Sequence, residues 1–470
     1  MSRPNMAPAA AGALVLLLAL GASAQYVGPA TQRVAGRARL FVADNSPAAP
    51  AIVVIDLPSF NVSQRIQTPG TTSSLGVSQE QAHLGVFRNR DNDQQTLTIV
   101  STGIRPPYPV GGVRLPNPAP LADGELGAMR PALLAKSFIF VNGSDGIGGV
   151  EGGRQLTYHS GWKRYMAYAE NHGHIFLYRS DHLHGATAFK PTHTFKIPVG
   201  HFHVLPYGNH IVAPHTGTQM AYILDAKGKT VRSYACAACH GASVYVPSES
   251  GKVAVFGCNG TVLVVKGTSA TGIHVPAFPP RVGSFTNGVP GVFWSASSSQ
   301  AFFWRTDVRS DTPTVTSVPH RGAAIRMLAL PGGLGHFAAL HLDGSLVLYD
   351  GDTGAADASI ELRAQGFANM TAPSLQSEAD GSAIYVAVSS LRAPAPALAV
   401  SSLGEIHRIA VTHTEGEGEG DHDHAEGEPH HDEEGSVALV LESSLTVGGF
   451  PTSMTLAYMP GVVKNPDHSH

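Results

Sequence analysis

Repetition of short β-rich runs constrains this chain more than any other feature. Arg39-Leu-Phe-Val-Ala43 is followed by Ala51-Ile-Val-Val-Ile55, and Lys252-Val-Ala-Val-Phe256 by Thr261-Val-Leu-Val-Val265. Phe337-Ala-Ala-Leu-His341 and Ser345-Leu-Val-Leu-Tyr349 are joined by Leu342-Asp343-Gly344, a tight hairpin signal, and His174-Ile-Phe-Leu-Tyr178 is a further run of the same kind. Long 3.6-residue periodicity is nearly absent, so helices cannot supply the core. In each unit a short leading strand precedes a Gly-rich turn and a hairpin. Leading strands are expected near residues 74–78, 155–159, 201–205, 242–246, 283–287, 323–328, 372–376 and 452–457. A spacing of roughly 40–50 residues is that of four-stranded propeller blades. The fold class is therefore all-β, a β-propeller of seven or eight blades, with the last strand closing the ring by joining the first blade. Two β-sandwiches or a β-solenoid are the alternatives.

Three segments stand outside the repeat. Residues 1–24 read as a cleaved signal peptide: Arg3 precedes the apolar run 12–20, and Ala22-Ser23-Ala24 has the small residues of a signal-peptidase site. The apolar run is too short to span a bilayer, so the expected location is secreted, or periplasmic in a bacterium. Residues 25–470 form one propeller domain. Within it, 103–135 is a Pro-rich loop, and 414–435 is a low-complexity His/acid-rich loop expected to be disordered. A net charge of −4 and 14% charged residues offer nucleic acid no basic surface.

Histidine is over-represented, with 24 residues against 31 Lys plus Arg. Neutral imidazole ligates zinc and copper. His172/His174 and His201/His203 are i, i+2 pairs, and on a strand both members of such a pair point to one face. His159, His240 and His341 are further candidate ligands. The loop carries His422, His424, His430 and His431 among Asp and Glu, a composition suited to collecting several ions at low affinity. The expected cofactor or cargo is zinc, with copper as second choice.

Cys236, Cys239 and Cys258 fit one disulfide and an odd thiol in an oxidising compartment, with either Cys236 or Cys239 paired to Cys258. Cys236-Ala-Ala-Cys239-His240 also matches a c-type haem attachment pattern, so a haem or redox protein is an alternative function. A third alternative is a propeller binding module or hydrolase whose histidines are incidental. No Gly-x-Ser-x-Gly elbow, P-loop, dinucleotide fingerprint or His-Glu-x-x-His occurs, and no enzymatic activity is expected.

Three stretches resemble the periplasmic zinc metallochaperones of the AztD type. They are 39–44 through 53–56, His201-Phe-His-Val-Leu-Pro-Tyr-Gly208, and Cys236-x-x-x-His240-Gly241 with Gly257-Cys258. The resemblance implies a propeller that passes zinc to a metal-binding acceptor, the solute-binding protein of an ABC importer. It implies a Cys236–Cys258 disulfide and metal ligands at His201 and His240. Cys239, where the family is expected to carry an apolar residue, and the Pro-rich stretch depart from the pattern.

Overall fold

The computed structural model describes residues 33–460, apart from 105–131, 140–156, 180–190, 390–403, 415–435 and shorter intervening runs. The expected signal segment and loop histidines 422, 424, 430 and 431 lie outside the described residues. Eight four-stranded antiparallel sheets make an eight-bladed propeller. Blade 1 comprises 33–67, blade 2 72–139, blade 3 157–196, blade 4 205–235, blade 5 240–276, blade 6 284–319, blade 7 324–361 and blade 8 374–446.

In blades 2 to 8 the strands run in sequence order, with the leading strand inside and the fourth outside. Blade 1 takes its inner strand, Pro451–Pro460, from the C-terminal part of the chain, in the order Asn61–Gln67, Ala51–Asp56, Arg33–Asp44, Pro451–Pro460. The expected ring closure is therefore present, in antiparallel register with Leu40 opposite Leu456 and Val42 opposite Met454. Buried Asp44 fixes the junction by accepting N–H bonds from Phe450 (2.9 Å) and Ser46 (3.0 Å) and an ion pair from Arg65 (2.9 Å). Gln81 Oε1 accepts the Tyr458 N–H at 2.9 Å, tying the closing strand to blade 2.

The apolar runs form strands because both faces of each sheet are covered by a neighbouring blade. Val253–Cys258 is buried at every position, whereas the outer strand Thr230–Ala235 is almost wholly exposed. A buried cluster fills every inter-blade interface among the described residues, for example Tyr207 with Phe256 between blades 4 and 5, and Trp294 with Phe337 between blades 6 and 7. Side chains of this size each contribute about 1.5–3 kcal/mol when buried.

One boundary differs from expectation. The Pro-rich stretch ends in a strand, Ala132–Ile139, which completes blade 2 by pairing with Gln95–Ser101.

Because successive strands alternate in direction, their connections alternate between the two faces of the ring. One face, here the upper, carries the inter-blade connections and the turns between second and third strands. The lower face carries the turns between first and second strands and between third and fourth. The root of the His/acid loop, between Gly404–Thr414 and Ser436–Thr446, lies on the lower face.

Candidate metal-binding site

Upper-face connections of blades 3, 4 and 5 bring three histidines together. His201 and His203 precede the inner strand of blade 4, and His240 begins that of blade 5. Ring centroids are 5.2 Å apart for His201 and His240, 5.4 Å for His201 and His203, and 6.1 Å for His203 and His240. All three are half-buried, within reach of solvent. His201 and His203 lie in an extended connection rather than in the strand itself. The i, i+2 alternation still holds, with Phe202 between them wholly buried and bridged to His215.

Glu170 orients this cluster and carried no sequence signal. It opens a 3₁₀ turn, Glu170–His172, between the second and third strands of blade 3. Gly173 closes the turn at φ +60°, where a Cβ would collide with the Ile197 carbonyl, so the position requires glycine. The Glu170 carbonyl accepts the Gly200 N–H at 3.2 Å, locking this turn to the connection that carries His201. The buried Glu170 carboxylate then meets His201 Nδ1 at 3.0 Å. A carboxylate accepts only, so Nδ1 bears the proton and Nε2 presents the lone pair that a metal needs.

His240 is placed by the cysteines. Cys236 is bonded to Cys258, with Cα atoms 4.9 Å apart. Cys236 N–H donates to the Gln219 carbonyl (2.8 Å), Thr216 Oγ1 donates to the Cys239 carbonyl (2.6 Å), and Asn259 N–H donates to the Ala237 carbonyl (2.6 Å). Residues 236–239 are thus stapled between blades 4 and 5. A bulge at Gly241, φ +70°, offsets His240 from the regular ladder. Cys239 is the free thiol and is wholly buried, which pushes its pKa up to about 12. Haem attachment fails on this geometry: Cys236 already spends its sulfur on Cys258, and the Cys239 thiol faces core. The Cys-x-x-Cys-His spacing is that of a stapled turn.

The remaining expected ligands lie elsewhere. His172 sits in the 3₁₀ turn and not on a strand, and its ring lies nearly parallel to that of His174, 6.5 Å away. His159 is on the lower face, wholly buried. Its Nε2 donates to the His210 carbonyl (2.8 Å) and its Nδ1 accepts the Trp162 N–H (3.1 Å). His341, in blade 7, donates from Nδ1 to the Gly322 carbonyl (3.1 Å) and accepts from Tyr349 Oη (2.9 Å). Both rings spend both nitrogens on the fold. Among the described residues, no three His, Cys, Asp or Glu side chains already converge as a metal cage.

Burial lowers the His159 pKa to about 4, so the folded chain keeps this ring neutral where the unfolded chain, near 6.5, protonates it. The unfolded state binds the extra proton, so stability falls as pH drops from about 6.5 to 4 and is level below that. Urea unfolding at pH 7 and pH 4.5 is expected to show this loss, up to about 3 kcal/mol from His159 alone. His320, also lowered to about 4 by burial, acts in the same direction.

Fold and site together define an eight-bladed propeller with a carboxylate-oriented histidine cluster on one face. Among solved structures, apo AztD from Citrobacter koseri has this fold, with a TM-score of 0.58 at 14% identity over 91% of this chain and 99% of that one. A second Citrobacter koseri AztD structure gives 0.59 at the same identity and coverage. No protein-family model matches the sequence, and no curated protein does. No helix among the described residues is long and apolar enough to cross a membrane.

Proposed function

We propose that this chain is a secreted or periplasmic carrier of zinc rather than an enzyme, binding the ion at His201, His203 and His240 and releasing it to a metal-binding acceptor. The observation that carries the reading is the His201–His203–His240 cluster with Glu170 on His201 Nδ1. In a tetrahedral site with Zn–N of about 2.0–2.1 Å, each ring centroid stands roughly 3 Å from the metal, so ring centroids lie roughly 5 Å apart. The observed spacings of 5.2–6.1 Å approach that arrangement. Imidazole donors without thiolate favour zinc or copper over calcium or magnesium. Three protein ligands leave the fourth position to water, and an acceptor's ligand can enter there, so transfer can proceed by ligand exchange. The His/acid loop supports a capture role by composition alone, with His422, His424, His430 and His431 as its donors. The AztD likeness agrees with this reading.

The test is competition between the full-length protein and a chromophoric zinc chelator, followed by dialysis and metal analysis. One zinc retained through dialysis is the expected result. Complete loss on dialysis with no competition would remove the proposal.

A further inference from the structure

A second imidazole pair lies on the lower face, at the root of the hairpin that carries the His/acid loop. His336 begins the second strand of blade 7, Asp357 lies at the start of its fourth strand, and His413 lies at the end of the third strand of blade 8. They meet because the blade 8 hairpin is long, at eleven residues per strand, and lies against the outer strand of blade 7. There Val437, Ala358 and Ile360 pack against the buried cluster that includes Leu439. The ring centroids of His336 and His413 are 6.3 Å apart.

Asp357 Oδ2 meets His336 Nε2 at 3.0 Å. The carboxylate accepts, so in the neutral ring the proton sits on Nε2 and the lone pair on Nδ1. That Nδ1 is buried and makes no hydrogen bond, an unusual state for a polar atom in a folded protein. His413 is exposed, so its ring can turn toward its neighbour. The arrangement parallels Glu170 and His201: a carboxylate holds one imidazole in the tautomer that aims a lone pair away from it, with a second imidazole close by.

We infer that His336 and His413 form a second binding site for a divalent transition-metal ion such as zinc, with Asp357 as its positioning residue. With two protein ligands and water in the other positions, it is a more open and weaker site than a three-histidine one. It stands on the ring face opposite His201 and does not depend on the upper site binding metal.

The experiment titrates zinc chloride into the full-length protein labelled with ¹³C at histidine Cε1. The His336 and His413 resonances are each assigned by substitution to Gln. The two signals should move together with one midpoint. His413→Ala should raise the midpoint of the His336 shift at least tenfold, and Asp357→Asn about tenfold, as loss of an orienting carboxylate does elsewhere. A His336 signal that stays still, or that moves with an unchanged midpoint in His413→Ala, overturns the site. Movement of His413 only in step with the loop histidines does so too. The His201 and His240 resonances report the upper site separately, so either site can fail without the other.

Discussion

Replacing His201 and His240 together by alanine should weaken zinc binding at the upper site at least about 100-fold, while leaving the far-ultraviolet spectrum and the unfolding midpoint nearly unchanged. Both rings are half-buried, His201 on an inter-blade connection and His240 at the first residue of an inner strand, and neither belongs to the apolar clusters that join the blades. The cost therefore falls on binding. Removing an orienting carboxylate behind a metal-ligating histidine typically costs 10–100-fold, and removing two ligands costs more. Chelator competition measures the loss, and calorimetric unfolding checks the fold. Affinity within tenfold of the parent, with the fold intact, would eliminate the cluster as the binding site. Glu170→Gln is the graded companion: an amide can present its NH₂ to His201 Nδ1 and invert the tautomer, so a partial loss is expected.

Opening the Cys236–Cys258 disulfide is the second large perturbation. The bond closes a separation of 22 residues, for which the chain-entropy account gives about 3 kcal/mol of stability. The double variant Cys236→Ser/Cys258→Ser should lower the urea midpoint accordingly. It should also weaken zinc binding at temperatures where the protein remains folded, because the stapled segment 236–239 sets where His240 stands. The sulfurs join blades 4 and 5 beside a buried cluster that includes Leu205, Phe256 and Cys239. With both partners replaced, Cys239 is the one cysteine left, so no substitute disulfide can form within the chain. Loss of stability with undiminished zinc affinity would show that the disulfide serves the fold alone.

The propeller was legible because its repeat is written in local terms. Apolar runs such as Val253–Cys258 and Leu346–Tyr349, each with a turn at its end, mark the blade hairpins, and their spacing points to seven or eight blades, of which the structure has eight. Closure could be anticipated from the strand-like stretch left over after the last hairpin. The candidate site was legible only in part. His201, His203 and His240 stand out by residue type, but their meeting depends on two inter-blade connections that sequence spacing does not relate. Glu170, 31 residues before its partner, is one acid among many until the fold places its carboxylate beside His201. Counting histidines also gathered rings such as His159 and His341, whose nitrogens hold loop backbone or a tyrosine hydroxyl. A buried structural imidazole and a metal ligand are the same letter in a sequence, and hydrogen-bond partners separate them.

The closing strand Pro451–Pro460 has a consequence for the order of events in the life of the chain. Its partner strand, Arg33–Asp44, is made first, yet it stays unpaired along one edge until the final strand arrives. An open strand edge invites pairing with other chains, and contacts this distant in sequence form slowly. The ring therefore cannot close before residues 451–460 have been made. A truncation that removes residues 451–460 should leave an exposed edge on blade 1, and such a product would be a target for aggregation or proteolysis rather than a propeller lacking one strand. Timing, as much as packing, makes the C-terminal strand indispensable.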